Sequence, residues 1–186
     1  NVHLLANARA PRSDINETSN VNFYDANAAL FGKESLGVSD LELMYRLEMT
    51  GEQFYFGLAD RVGNAEAAEL LRRNGVEERA HARRLAKMLD IKLGRAWEPT
   101  AEQASLLEFS LPDRVSPKLI QGLIQGELGG DAGYQRWADN EPDVEVQRLL
   151  RLNGREETIH AQRAQDRNST RLNSSHVALS RMPSSA

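Results

Sequence analysis

The chain has 186 residues, of which 40% are hydrophobic and 27% are charged, and its net charge at pH 7 is −4. This length and composition predict one folded domain with a hydrophobic core. There is no cysteine, which excludes disulfides, thiolate catalysis, iron–sulfur clusters and cysteine-ligated zinc. An acidic chain without basic clusters predicts no nucleic-acid partner, and the lack of a long apolar run predicts no membrane span. We expect a cytoplasmic protein.

Residues 1–38 are polar, rich in Asn, Ser and Ala, and without sustained periodicity. This composition predicts a mobile or loosely packed N-terminal arm. The first helix is predicted to begin after the arm, at Ser39-Asp40-Leu41-Glu42, because this tetrapeptide matches a capping box.

An internal repeat organises the rest of the chain. Glu78-Arg79-Ala80-His81 recurs as Glu157-Thr158-Ile159-His160. The same offset in residue number aligns further pairs: Glu48 with Glu127, Gly51 with Gly130, Tyr55 with Tyr134, Glu77 with Glu156, and Asn74-Gly75 with Asn153-Gly154. A repeat of this kind predicts two copies of one supersecondary unit, here a helical hairpin.

Apolar spacing and boundary residues predict four helices in an all-α bundle. The predicted ranges are Ser39 to about Val62, Ala65 to Leu89, Pro117 to Asn140 after a Ser116 cap, and Asp143 to Gln165. Residues 90–115, between the second and third helices, are long enough to cross the bundle, which would make those two helices parallel. The prediction is two antiparallel hairpins joined by one long crossover, in which Thr100-Ala101-Glu102-Gln103 marks the start of one short helix.

The repeated residues are placed to converge at mid-bundle. Glu48 and Glu78 lie on opposite sides of Gly63, which marks the first predicted turn, and they are equally far from it along the sequence. Equal distances from the turn of an antiparallel hairpin bring two residues to the same level. A Glu and a His three positions apart share one face of a helix. The predicted cluster is therefore Glu48, Glu78, His81, Glu127, Glu157 and His160.

Four inward-facing carboxylates would be strongly destabilising in a dry core without compensating charge. Two divalent cations would balance the four negative charges, and oxygen and imidazole ligands suit iron or manganese. The alternative is a bundle without metal, in which the buried Glu and His side chains pair with each other or with Arg.

The order Glu48, Glu78-x-x-His81, Glu127, Glu157-x-x-His160 resembles the di-iron carboxylate site of the ferritin-like superfamily, nearest in pattern to rubrerythrins and bacterioferritin-type proteins. The resemblance covers residues 39–165. It implies two iron ions, or manganese, with Glu48 and Glu127 as terminal or bridging ligands. Glu78 and Glu157 would bridge, and His81 and His160 would bind one metal each.

The same resemblance implies an oxidoreductase that reacts a dinuclear metal centre with O2 or H2O2, as a ferroxidase or a peroxidase. Electrons would come from Fe(II) or from a separate donor protein, and no catalytic residue is expected beyond the metal ligands. Two alternatives remain open at this point: non-catalytic iron storage or buffering, and a metal-free structural helical module.

Two repeat pairs are predicted to support the ligands. Glu77 and Glu156, each directly before a ligand glutamate, are predicted to accept the free imidazole N–H of the opposite hairpin's histidine, or else to face solvent. The resemblance implies that Tyr55 and Tyr134 hydrogen-bond across the bundle to a ligand carboxylate; otherwise they are core tyrosines.

A third repeat pair, Glu52 and Asp131, lies one helical turn after Glu48 and Glu127. This pair is predicted to bind an extra metal or line its entry path, or else to hydrogen-bond Asn74 and Asn153. Rubrerythrins often carry a further carboxylate three positions after the third-helix ligand, where this chain has Gly130.

Four glycines form a stripe along the third predicted helix: Gly122, Gly126, Gly129 and Gly133. Each weakens the helix by about 1 kcal/mol relative to alanine. Small residues on one face permit close approach of another helix. The stripe therefore predicts a contact with a second subunit and a homo-oligomer.

Residues 166–186 resemble the translation of a common sequencing-library adapter, with Asn168 as the departure within residues 166–176. We therefore expect that this segment is not native. The alternative is a natural disordered tail rich in Ser and Arg.

Overall fold

The computed structural model describes residues 22–179 and the side chains of residues 22–165. Within that range it has five helices and no strand: α1 (Phe23–Phe31), α2 (Val38–Ala59), α3 (Ala65–Leu93), α4 (Pro117–Asp139) and α5 (Val144–Leu179). The predicted all-α class is confirmed. Parts of the predicted arm and adapter segment, residues 1–21 and 180–186, lie outside the described residues.

The helices form two hairpins, α2 with α3 and α4 with α5, and α3 also packs against α5. Tyr55 on α2 hydrogen-bonds Glu127 on α4, while Tyr134 on α4 hydrogen-bonds Glu48 on α2. Because each tyrosine follows the glutamate on its own helix, this exchange requires α2 and α4 to be antiparallel. The helices α3 and α4 are therefore parallel, and the segment between them is the predicted long crossover.

Helix α1 corrects the predicted arm. Residues 23–31 form a helix that buries Ala26 and Leu30, so the prediction of a loosely packed segment is wrong for these residues. Asn22 caps the helix by accepting hydrogen bonds from the backbone N–H groups of Tyr24 and Asp25. A helix this short gives too brief a periodic pattern to be recognised against a polar background.

Both ends of α1 are fixed by distant parts of the chain. At its start, the backbone N–H of Phe23 donates to the carbonyl of Glu108 in the crossover, at 2.9 Å. Just beyond its end, the carbonyl of Lys33 accepts a hydrogen bond from the indole N–H of Trp137 on α4, also at 2.9 Å. These contacts hold α1 against the bundle.

The start of α2 also differs from the prediction. Gly37, not Ser39, is the N-cap, and its backbone N–H donates to the Asp40 carboxylate at 3.0 Å. Glu42 accepts a hydrogen bond from the Trp97 indole N–H at 3.2 Å. The tetrapeptide matched the capping pattern, but the helix had already begun before its first residue.

In the crossover, the predicted short helix is only a turn. Thr100 and Gln103 do exchange the two hydrogen bonds of a capping box, at 2.9 and 3.2 Å. The chain then leaves the helical path after Ala104, so the capping signal is real but no helix follows it.

Helix α4 begins as predicted, because Ser116 accepts a hydrogen bond from the Leu119 backbone N–H and Pro117 is the first helical residue. Helix α5 is longer than predicted and its backbone continues to Leu179, through part of the segment that resembles an adapter. The predicted native end near residue 165 stays a prediction.

Two apolar clusters occupy the bundle on either side of its middle. One contains Leu41, Leu85 and Leu89, and the other contains Leu58 and Leu71. The polar residues of the repeat lie between them along the helix axes. Within residues 22–179, no helix combines the length and hydropathy needed to cross a bilayer.

Candidate metal centre

Six polar side chains from four helices meet at mid-bundle, and none is more than 9% exposed. They form two groups in which one ligand atom from each residue lies within 4.8 Å of the others. The first group is Glu48, Glu78, His81 and Glu157, and the second is Glu78, Glu127, Glu157 and His160. Because both groups contain Glu78 and Glu157, each could hold one cation with these two carboxylates between them.

Two glycines of the repeat make room for the shared carboxylates. A Cβ at Gly51 would lie 3.4 Å from the Glu78 carboxylate, and a Cβ at Gly130 would lie 3.4 Å from the Glu157 side chain. Contacts this short are tighter than most Cβ atoms make. Glycine therefore lets α2 and α4 approach the glutamates of α3 and α5.

Each histidine turns Nδ1 towards the carboxylates. The His81 Nδ1 atom lies 3.3 Å from Glu157 and 3.5 Å from Glu48, and the His160 Nδ1 atom lies 3.3 Å from Glu78 and 3.5 Å from Glu127. Both Nδ1 atoms are buried and lack a hydrogen-bond partner of acceptable geometry among the described residues. Buried polar atoms are rarely left without a hydrogen-bond partner. A nitrogen aimed at a carboxylate cluster in this way fits a metal ligand.

The other ring nitrogen of each histidine fixes its tautomer. His81 Nε2 lies 3.0 Å from Glu156, and His160 Nε2 lies 3.0 Å from Glu77. A carboxylate can only accept, so Nε2 carries the proton and donates it. In a neutral imidazole this leaves the lone pair on Nδ1. The contacts predicted for Glu77 and Glu156 are therefore present in the structure.

Two arginines that the sequence analysis missed complete these contacts. Arg84 donates to Glu156, and Arg163 donates to Glu77 at 2.6 Å. Burial acts to raise the pKa of Glu77, but hydrogen bonds from His160 and Arg163 outweigh it and hold that pKa well below its usual value. The two arginines are related by the offset of the repeat, so the repeat itself contained the signal.

The two tyrosines of the repeat bind carboxylates across the bundle. The Tyr55 hydroxyl donates to Glu127, and the Tyr134 hydroxyl donates to Glu48. Burial, followed by the charge of the nearest glutamate, raises the pKa of both tyrosines well above its usual value. The hydroxyls therefore stay protonated and act as donors, in the contacts that the resemblance implied.

The pKa values of the four central carboxyls are shifted in opposite directions. Burial and the charge of Glu78 raise the pKa of Glu48 well above its usual value, and burial and the charge of Glu157 do the same for Glu127. Burial acts to raise the pKa of Glu78, but its close contacts with Glu48 and with the His160 and His81 rings outweigh burial and leave that pKa well below the usual value. Opposite shifts of this kind are expected where like-charged carboxyls are crowded into one buried site.

Glu52 and Asp131 do not make the contacts predicted for them. Glu52 accepts hydrogen bonds from Arg79 at 2.6 and 2.9 Å, and Asp131 accepts one from Thr158 at 2.5 Å. Neither belongs to a cation-holding group among the residues whose side chains are described. Asn74 and Asn153, the partners predicted for this pair, instead accept hydrogen bonds from Arg163 and Arg84.

The glycine stripe divides into two parts. Cβ atoms at Gly129 and Gly133 would contact the Phe31 ring of α1 at 3.7 and 3.4 Å. Cβ atoms at Gly122 and Gly126 would have no neighbour within 4 Å among the described residues. The helix that approaches the stripe is therefore α1 of the same chain, and contact with a second subunit stays a prediction.

The fold and the donor groups together define a class, the ferritin-like helical bundles with a mid-bundle carboxylate and histidine cluster that could hold metal. Comparison with protein families gives a match to the family model described as Rubrerythrin over residues 39–168. The chain therefore belongs to the rubrerythrin family, a ferritin-like di-iron carboxylate family. Searches of curated proteins and of solved structures gave no match.

Proposed function

We propose that the protein is a dinuclear metal oxidoreductase that binds two iron ions, or manganese, and reacts with O2 or H2O2. The observation that supports this most strongly is the pair of donor groups that share Glu78 and Glu157. One cation would take Glu48 and His81 as its own ligands, and the other would take Glu127 and His160. Bound iron would supply the reversible change of oxidation state that reduces the oxidant.

The tyrosines prepare two of the carboxylates for this role. Tyr134 holds one oxygen of Glu48, whose other oxygen lies 3.5 Å from His81 Nδ1. Tyr55 holds Glu127 in the same way, with its second oxygen 3.5 Å from His160 Nδ1. Each glutamate thus has one oxygen occupied by a hydroxyl and the other directed into a donor group. This preorganisation lowers the cost of arranging the ligands.

The arginines and outer glutamates prepare the histidines. Glu156 and Glu77 orient the imidazole rings, and Arg84 and Arg163 hold those glutamates in place. Such partners keep a ring nitrogen directed at its metal and raise the basicity of the ligand. Apolar clusters on both sides of the centre limit the access of water along the bundle axis.

The test is to load metal-free protein anaerobically with Fe(II), measure bound iron by elemental analysis, and then mix it with O2 or H2O2 in a stopped-flow spectrometer. We expect two iron ions per chain and oxidation within one turnover by at least one of the two oxidants. Comparison of the two rates distinguishes ferroxidase from peroxidase activity. Bound iron of one ion or fewer would contradict the proposal, and ferric iron retained far above two per chain would indicate storage.

A matched control uses a buried carboxylate near the cluster. Glu127→Gln removes a proposed ligand, whereas Glu52→Gln changes a glutamate that is also buried but pairs with Arg79. We expect the first variant to lose bound iron and the second to retain two ions per chain. Equal iron content in both variants would rule out the assigned ligands.

A further inference from the structure

A cavity of about 370 Å³ lies between α1, α2 and α4 and ends at the polar cluster. All four central glutamates line its inner end, whereas His81 and His160 do not line it. The cavity therefore reaches the carboxylates from the side opposite to the histidines. The inner end of this space belongs to the proposed metal centre, and the rest extends away from it between the three helices.

The cavity exists because the bundle is packed unevenly. Among the described helices, α3 and α5 pack closely together, but α2 and α4 do not. Helix α1 covers part of the gap and is fixed at both of its ends, by Glu108 and by Trp137. Gly122 and Gly126 of α4 are exposed at the edge of the cavity and leave it open there.

The walls of the cavity are apolar. They are formed mainly by aromatic and aliphatic side chains, which include Phe23, Phe31, Met44, Phe54, Leu123 and Trp137. Apart from the four glutamates at the inner end, no charged residue of the described part of the chain lines it. A volume of this size, with mostly apolar walls and polar groups at one end, is typical of small-molecule sites.

We propose that this cavity binds an uncharged, mainly apolar organic molecule, with one end against the metal centre. This binding site is additional to the proposed reaction with O2 or H2O2. It rests on that proposed function only in requiring cations at the inner end of the cavity. A peptide segment fits less well, because its backbone N–H and C=O groups would need partners. The Tyr24 hydroxyl at the rim already donates to the Ser110 carbonyl, at 3.0 Å, which leaves few polar groups on the walls.

The test is a fluorescence titration of the full, iron-loaded chain with N-phenyl-1-naphthylamine, an uncharged apolar probe. We expect saturable binding of one probe per chain, and competition by 1-decanol. Gly126→Phe, which places a ring at the open edge, should weaken probe binding at least about tenfold, or about 1.4 kcal/mol. Gly126→Ala is the matched control, because it raises helix propensity as Gly126→Phe does but fills little space. We expect its affinity for the probe to be within about twofold of the wild type.

Circular dichroism checks that the Gly126→Phe variant is folded, and Gly122→Phe provides a second blocking variant at the same edge. Lack of saturable probe binding to the full chain would overturn the proposal. This result is expected if residues 1–21 or a second copy of the chain fill the cavity. Probe affinity unchanged in both phenylalanine variants would also overturn it. Iron content is measured on the same samples. Two ions without probe binding would contradict this inference alone, and probe binding without iron would contradict only the proposed function.

Discussion

The two long faces of the bundle, α3 with α5 and α2 with α4, are built from the same repeat but are packed differently. On the first face, each histidine, outer glutamate and arginine links one helix directly to the other. On the second face, the helices are joined at the level of the cluster by the Tyr55 and Tyr134 hydroxyls, and a cavity separates them elsewhere. Residues from both faces thus meet at one centre, and in the described part of the chain the α2–α4 face borders a cavity.

This difference shows how two copies of one repeat can be packed differently around a common centre. A Glu-x-x-His pair needs its ring nitrogen held in one orientation, which a dense network of charged hydrogen bonds provides. The single glutamates of α2 and α4 need only one donor each. Their helices can therefore stand apart without loss of ligand geometry, and the cost is an apolar surface that α1 covers in part.

The largest effect is expected from a residue that belongs to both donor groups. Glu78→Ala removes a ligand from each group, whereas Glu127→Ala removes one from a single group. We expect bound iron to fall from two ions per chain to less than one in the first variant and to about one in the second. Both should slow Fe(II) oxidation more than about 100-fold, beyond the range for groups that only support ligands. Elemental analysis and stopped-flow oxidation measure the two effects. Equal iron content in the two variants would show that Glu78 is not shared.

Removal of an arginine from the α3–α5 face is expected to have the next largest effect. Arg163→Met removes the two Arg163 hydrogen bonds that hold the Glu77 carboxylate and so loosens His160. Metal affinity should therefore fall about 10- to 100-fold. Arg72→Met is the matched control, because it breaks an exposed pair with Asp60 at the bundle surface. We expect its affinity to be unchanged and its stability to change by less than about 0.5 kcal/mol. Competition titration with a chelator measures affinity. A similar loss in both variants would mean that the charged network does not support the histidine.

The sequence predicted the cluster and the contacts of Glu77 and Glu156 with the histidines, but not the two arginines beside them. The ligands were found because Glu78 and His81 recur at a fixed offset and because Glu48 lies at the same distance from the turn as Glu78. Arg84 and Arg163 share that offset, but arginine in a charged helix ordinarily faces solvent, so composition gave no reason to place them inside. The partial burial of each arginine beside a glutamate depends on the antiparallel contact between α3 and α5.

The position of α1 and the cavity could not be predicted from local patterns. Helix α1 is held by backbone carbonyls and by Trp137, which is distant from it in the sequence. The glycines of α4 suggested close helix packing, and this occurs at Gly133 beside Phe31. At Gly126 the same pattern lines open space. The spacing of glycines along a helix does not say which of them a neighbour will cover.

A smaller effect is expected on the α2–α4 face. Tyr55→Phe removes the donor to Glu127 while keeping the ring in the core, where Tyr55 is 2% exposed. Loss of a hydrogen bond to a charged acceptor is worth about 1.5–3 kcal/mol. We expect iron-loaded protein to be destabilised by that amount, with two ions still bound at saturating Fe(II). Thermal unfolding with and without iron measures the change. Destabilisation of the metal-free protein alone would show that the hydroxyl supports packing and not the ligand.

The smallest effect is expected where α3 and α5 meet at the surface. Glu145 on α5 pairs with Arg148 at 2.8 Å and with Lys87 on α3 at 3.3 Å. These contacts, the Arg148 hydrogen bond first, lower the pKa of Glu145 to about 2. Because the folded-state pKa lies below the unfolded value, the stabilising contribution is present above about pH 4.3 and is lost as the pH falls towards 2. Glu145→Gln should therefore reduce stability slightly at pH 7, and the difference should shrink as the pH falls through 2. Glu145, Lys87 and Arg148 are exposed, so added salt should weaken their ion pairs further. Chemical denaturation of wild type and variant across that pH range measures the difference. If Arg163→Met, measured in the same way at pH 7, loses no more stability than Glu145→Gln, the exposed and the part-buried ion pairs contribute equally to the α3–α5 face.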